Sequence, residues 1–226
     1  MSEAHPERTR GILRVVVLPG LDGTGKLLAP FAAQCDGHVV SYPPERVLAF
    51  DDYVEIAAAA VTPETLLVAE SFSGPIAIRI AARQPVRALV LAGSFVTAPL
   101  PRILRMLPLT TLARLQVPDW LLSRAMLGGH PGVSDFREAI GEVDPRVIAS
   151  RLRIALSIDE RANLASTTVP LLDLRGTQDR LVSVRARRAI LNARPDAMFA
   201  DLEAPHALLY TNAAEAWRVI TAKQPG

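Results

Sequence analysis

The chain has 226 residues and a mass of 24.4 kDa, enough for one domain or for one domain carrying an insertion. Half of its residues are hydrophobic and 21% are charged, a balance that argues against disorder and allows a full core. The net charge is only +2, 23 of the 25 basic residues are Arg, and no dense basic stripe interleaved with aromatics points to nucleic acid.

Cys35 is the only cysteine, so an internal disulfide is excluded and a reducing compartment suits the chain. The opening "MSEAHPERTR" carries no apolar signal-peptide core. No apolar run approaches the ~18–20 residues that would span a bilayer, and the expected location is cytoplasmic. No His/Cys cluster has metal-ligand spacing, so neither a metal nor another cofactor is expected.

The first strand, Leu13–Leu18, runs into "PGLDGTGKL". Gly20, Gly25 and Lys26 fit the G-x-x-x-x-G-K of a phosphate-binding loop, but Leu27 stands where Ser or Thr must hold Mg²⁺. The apolar "PLLDLRG" around Asp173 is a weak mimic of the metal-binding carboxylate strand that such a loop requires. The glycines therefore serve a sharp turn of another kind. Val39–Tyr42, Leu66–Glu70 and Ala88–Leu91 follow as strands, with the helix "SGPIAIRIAARQP" stopping before Pro85.

From about Ala98 to Thr168 the alternation of strand and helix fails. No good strand is found there, and Asp144 before Pro145 marks a strong helix start. This is read as a helical insertion, 98–168, within a core made of 1–97 and 169–226. The strand Leu171–Leu174, the helix "SVRARRAILNARP" with Ser183 as cap, the strand Met198–Leu202 and the helix "NAAEAWRVITAK" with Asn212 and Glu215 at its start complete the chain. Near-continuous apolar strands alternating with helices predict an α/β fold whose parallel sheet is covered on both faces.

The third strand ends in "LLVAESFSGPIAI". A nucleophile elbow needs small residues two before and two after the nucleophile, because a tight strand-to-helix turn has no room for bulk. With Ser71 as nucleophile these places are Ala69 and Ser73, and Pro75 falls in the first helical turn, where its missing N–H costs nothing. Ser73 as nucleophile would instead put Pro75 beside the turn. The pattern departs from G-x-S-x-G at both ends, and a serine between small residues also suits a purely structural turn.

An acid and then a histidine must follow in chain order. "LRGTQDRLVS" offers Asp179 after the fifth strand and "LEAPHALLY" offers His206 after the sixth, both just past C-terminal strand ends, where ligands gather in open α/β sheets. Asp173 is the weaker acid, since a mid-strand position points it at a helix-covered face. Glu70 is read as a support of the elbow, and His5, His38 and His130 as surface or loop residues.

With these pieces assembled, the whole chain resembles an α/β-hydrolase. "LPGLDGTG" together with "AESFSG" resembles a branch of small bacterial esterases and hydrolases, and also the hydrolase-like part of plant phytyl ester synthases. The resemblance implies a minimal parallel sheet of about six strands, because residues 1–12 leave little room for the family's opening hairpin. It also implies an oxyanion hole formed by the Leu21 and Phe72 backbone N–H groups, although Pro19 stands where the family usually has His.

The implied chemistry is two-step acyl transfer, with Ser71 attacking a carbonyl, His206 moving the proton and Asp179 fixing the imidazole. Met106, Leu107, Leu112, Leu115, Trp120, Leu121, Met126 and Leu127 are expected to face the interior of the insertion, with Arg102, Arg105 and Arg114 outside. Such a roof favours a small to medium apolar ester, with Asp22, Met106, Leu107, Trp120 and Met126 as substrate contacts. Contact of the basic amphipathic helices with a membrane surface is the weaker reading of the same pattern. The same site would serve a thioesterase or an acyltransferase. From another class, the fold could belong to a non-catalytic ligand-binding or interaction protein, which would have no need of all three side chains.

Overall fold

The computed structural model describes residues 14–115 and 117–223. Six parallel strands, β1 (Arg14–Leu18), β2 (His38–Val39), β3 (Thr65–Glu70), β4 (Ala88–Ala92), β5 (Leu171–Gly176) and β6 (Met198–Leu202), form one sheet in the order β2-β1-β3-β4-β5-β6. The expected Leu13, His5 and the place of an opening hairpin lie outside the described residues.

Alternation along each strand builds two cores. Val16 and Leu18 of β1, Leu67 and Ala69 of β3 and Leu89 and Leu91 of β4 face one side. There they meet α2 (Phe50–Ala58), α3 (Gly74–Arg83), α8 (Arg161–Ser166) and α9 (Val184–Ala193). Val15 and Val17, Leu66 and Val68, and Val90 and Ala92 face the other side, under α1 (Ala29–Cys35), α10 (Leu208–Thr211) and α11 (Ala213–Lys223). Burial on both faces is why these strands read as unbroken apolar runs.

The edge strand β2 is shorter than its sequence implies and begins one residue earlier. The Val40 N–H still donates to Val17, but the Tyr42 N–H turns to the Gly23 carbonyl at 2.7 Å, so the chain leaves the sheet to support the loop after β1. Pro43 and Pro44 then bar any return to the ladder.

Between β4 and β5 lie a 3-10 turn (Arg102–Met106), α4 (Leu109–Leu112), α5 (Asp119–Leu122), a π turn (Ser123–Leu127), α6 (Val133–Gly141), α7 (Pro145–Ala155) and α8. The only ladder contact there, among the described residues, is an isolated bridge between Thr97 and Asp159. Asp144 caps α7 as its sequence suggests, accepting from the Arg146 N–H at 2.7 Å. The last helix, α8, packs on α3 and α9 and returns the chain to the sheet.

Candidate active site

β3 ends at Glu70 and α3 begins at Gly74, leaving three residues to reverse the chain. Ser71 takes the left-handed conformation, φ 48°, which a residue with a Cβ adopts at a cost of about 1–3 kcal/mol. The turn needs the small residues around it. A Cβ on Gly74 would sit 1.8 Å from the Ser94 Oγ, and Ser94 itself donates to the Ser71 carbonyl at 2.6 Å. Ser73 donates to the Pro19 carbonyl, and the Tyr42 hydroxyl, 3.0 Å away, is left to donate to the Ser73 oxygen. Ser73 is thus a buried brace, while Ser71 remains partly exposed.

The loops after β5 and β6 are joined by backbone. The Gln178 N–H donates to Ala204 at 3.0 Å, and Gly176 lets the second loop cross, since a Cβ there would lie 2.3 Å from the Ala204 oxygen. Gly93, φ 53°, likewise leaves room for the His206 carbonyl. These approaches bring three distant side chains together. His206 Nε2 lies 2.9 Å from Ser71 Oγ, and its Nδ1 lies 2.9 Å from Asp179 Oδ2.

The other oxygen of Asp179 accepts the Leu181 and Val182 N–H groups at 2.8 and 3.0 Å. Burial alone would raise this carboxyl, but the His206 contact and the two N–H groups outweigh it and hold the group below its usual range. An ionised carboxylate can only accept, so Nδ1 carries the imidazole proton. Nε2 is then free to accept the Ser71 O–H.

The loop after β1 lies against this trio. A Cβ placed on Gly20 would be 4.0 Å from the Ser71 Cβ and 3.7 Å from Glu70 Oε2. Its shape is fixed by Arg151 of α7, a fully buried guanidinium. Arg151 donates to the carbonyls of Leu21 (3.0 Å), Asp22 and Pro43 (3.2 Å) and to the Tyr53 hydroxyl (3.2 Å), and lies near the rings of Tyr42 and Tyr53. Gly23 is obligatory beneath it, because a Cβ there would meet the guanidinium at 2.4 Å. Arg151 escaped the sequence reading, yet its register with Val147 and Ala155 on the buried face of α7 carries the signal.

Glu70 is buried beside Ser71 in the chain, and its Oε1 has no partner. Burial pushes its carboxyl up to about 7, with Asp22 and Asp179 adding to the shift and His206 and the Leu209 N–H opposing it. Asp22 is largely buried in this loop, and its Oδ2 accepts both the N–H and the hydroxyl of Thr24. Lys26 turns to Glu138 of α6 and to Glu142 just past its end. Asp173 is buried against Arg187 of α9 at 3.0 Å, and His130 accepts from the Gly132 N–H.

The expected apolar interior of the insertion is only partly formed. Met126 and Leu127 do pack inward, with Leu27, Phe136 and Ala207. Met106 and Leu107 do not; they are 75% and 44% exposed, because the covered side of their segment is taken by Leu104 and Leu109. Leu112, Leu115 and Leu121 also face outward. Trp120 is exposed but lines a groove of about 470 Å³ with Ser123, Arg124, Gly128, Gln178 and Arg180, next to Asp179 in the chain. A larger cavity, about 680 Å³, lies between α8 and α9 and includes none of the trio.

Among the described residues, no group of three or more His, Cys, Asp or Glu could hold a metal ion, and no helix is long and apolar enough to cross a membrane. No family model and no curated protein matches the sequence. Solved structures do match. A lipase-esterase related protein from Clostridium acetobutylicum is 16% identical, with 92% of this chain and 93% of that one covered and a TM-score of 0.75. The enol-lactonase from Burkholderia xenovorans is 17% identical over 96% and 92% of the two chains, with a TM-score of 0.72. A thermophilic esterase from Thermogutta terrifontis is 18% identical over 93% and 87%, also at 0.72. This chain has the α/β-hydrolase fold.

Proposed function

We propose that the protein is a serine hydrolase that cleaves carboxylic esters with a small to medium apolar acyl or alkyl group. The observation that carries this reading is the unbroken run from the Ser71 hydroxyl through both nitrogens of His206 to Asp179, with the hydroxyl raised on a left-handed turn. Ser71 attacks the ester carbonyl while His206 Nε2 takes its proton, and Asp179 stabilises the imidazolium. His206 then returns the proton to the alcohol, which leaves an acyl-enzyme on Ser71. Water, deprotonated by the same nitrogen, releases the acid and restores the serine.

In this reading the Leu21 and Phe72 N–H groups hold the oxyanion, each such donor being worth about 10²–10³ in rate. Supporting it are the closeness of the Gly20 turn to Ser71 and the pinning of the Leu21 carbonyl by Arg151. The insertion 98–168 acts as a cap, and the groove at Trp120 receives the apolar part of the substrate.

The test is a panel of p-nitrophenyl esters of graded chain length, run beside Ser71→Ala and with a fluorophosphonate label. Turnover by the parent chain, its loss by on the order of 10⁶ in the variant and labelling confined to Ser71 are expected. An unlabelled Ser71 in folded protein, or undiminished turnover by Ser71→Ala, overturns the proposal. Water and an added alcohol competing for the acyl-enzyme separate hydrolysis from acyl transfer.

A further inference from the structure

The segment from Leu100 to Leu121 is apolar on more sides than the fold covers. Its inward side is occupied: Leu104 and Leu109 pack on Ala149, Leu152 and Leu156 of α7 and its C-terminal end, and Leu122 joins Phe136 and Leu127. Its outward side is also apolar. Ile103 is 71% exposed, Met106 75%, Leu115 60% and Trp120 68%. Pro101, Pro108 and Pro118 break the stretch into short turns, so it cannot fold over to bury that second side. Monomeric proteins seldom leave large apolar patches to water without a use for them, and here four large apolar side chains of one short segment stand open.

Charge narrows the choice of partner. From Ala98 through Leu121 the sequence contains Arg102, Arg105 and Arg114 and a single acid, Asp119, which is paired with Arg137 of α6. All three arginines are exposed. Arg105 and Arg114 make no ion pair among the described residues, and Arg102 reaches Asp159 only at 3.8 Å. A second copy seated symmetrically on this face would set cation against cation. An anionic lipid surface matches it on both counts, taking apolar side chains at the acyl boundary and guanidinium groups among the phosphates. Trp120 suits that depth, having an apolar body and one N–H for the wet layer.

We propose that this face docks the protein on anionic phospholipid surfaces, with Ile103, Met106, Leu115 and Trp120 entering the boundary and the three arginines in the headgroup layer. Because Trp120 also lines the groove beside Gln178 and Arg180, the docked chain meets lipid on the side where that groove opens. The proposal does not depend on the hydrolase reading.

Flotation of the full chain with vesicles tests it. The chain is expected to float with phosphatidylcholine vesicles containing one third phosphatidylglycerol and to stay behind with phosphatidylcholine alone. High salt should release it. Each arginine is worth about fivefold in partition near such a surface, so Arg105→Glu with Arg114→Glu should lower partition by at least about 25-fold. Met106→Ser with Trp120→Ser should also weaken it, while Ser71→Ala should float like the parent, which separates failure here from failure of the catalytic assignment. A folded chain that ignores anionic vesicles overturns the proposal, as does binding indifferent to lipid charge and salt. A dimer in sedimentation that Met106→Ser with Trp120→Ser abolishes would assign the face to a second copy instead. Circular dichroism checks each variant's fold, and the salt series on the parent chain needs no variant.

Discussion

The rim of the sheet and the segment above it are built on opposite terms. At the rim, Ser71, Asp179 and His206 are each held by neighbours that have one place to go: Ser94 on the elbow, two N–H groups on the carboxylate, and Gly93 and Gly176 under the histidine loop. In the segment 100–121, short helices of four or five residues attach through one apolar side and leave the other open. A constellation that must meet within hydrogen-bond distance tolerates little play. A face that meets a fluid partner tolerates a great deal. Substitutions should therefore have large, specific effects at the rim and small ones in folding terms on the segment.

The largest expected effect is on chemistry alone. If His206 is the base and Asp179 fixes its tautomer, as proposed, His206→Gln and Asp179→Asn should each lower kcat by on the order of 10⁴ or more while thermal unfolding shifts little. A variant that loses stability as steeply as activity would count against the roles given to these side chains.

Next comes Arg151→Met, which joins the two regions because α7 reaches from the insertion to the loop after β1. Removing the guanidinium leaves the buried carbonyls of Leu21, Asp22 and Pro43 without their donor. About 3 kcal/mol of stability should be lost, given that each unsatisfied buried acceptor costs ~1–3 kcal/mol. Urea unfolding measures that loss. Ester turnover measured well below the unfolding midpoint should fall further still, by about 10²-fold, if the Leu21 N–H is an oxyanion donor.

Six strands stand where apolar runs bounded by glycine and proline suggest, since burial on both faces leaves few polar residues to blur the pattern. The small-residue turn around Ser71 and the chain order of Asp179 and His206 are legible in the sequence, and the fold brings the three side chains within hydrogen-bond distance. Three features are not legible in the sequence. Arg151 looks like one more surface arginine unless α7 is aligned on Val147 and Ala155. In "PRILRMLPLTTLARL" nearly every register is apolar, so periodicity cannot tell which side is covered, and an inward Met106 and Leu107 fit the pattern as well as the outward ones found. The early exit of β2 was hidden for a different reason. It depends on a long-range bond from the Tyr42 N–H to Gly23, which no local pattern encodes.

Glu70 offers a test of the rim through pH. Its folded-state pKa is about 7, raised by burial above the ordinary 4.5. The folded state therefore holds a proton that the unfolded chain has released, and stability falls as pH rises from 4.5 to 7. The fall should be about 3 kcal/mol, at 1.36 kcal/mol per pKa unit. Glu70→Gln, which keeps the shape without the charge, should flatten that part of the profile when unfolding free energy is followed by urea titration across pH. A slope unchanged by the substitution would mean that Glu70 ionises freely at the base of the elbow.

The smallest effect belongs to the open side of the segment. Met106→Ser exchanges an exposed apolar side chain for a polar one that touches nothing different, and its unfolding free energy should stay within about 0.5 kcal/mol of the parent. Leu109→Ala, a few residues on but buried among Leu104, Ala149 and Leu156, should cost about 2 kcal/mol or more. The contrast matters more than either value. Equal losses would mean that the outward side is also packed in solution, by the chain itself or by a second copy. A near-zero loss at Met106 beside a large one at Leu109 leaves the apolar outer side without a folding role and assigns its composition to whatever it meets.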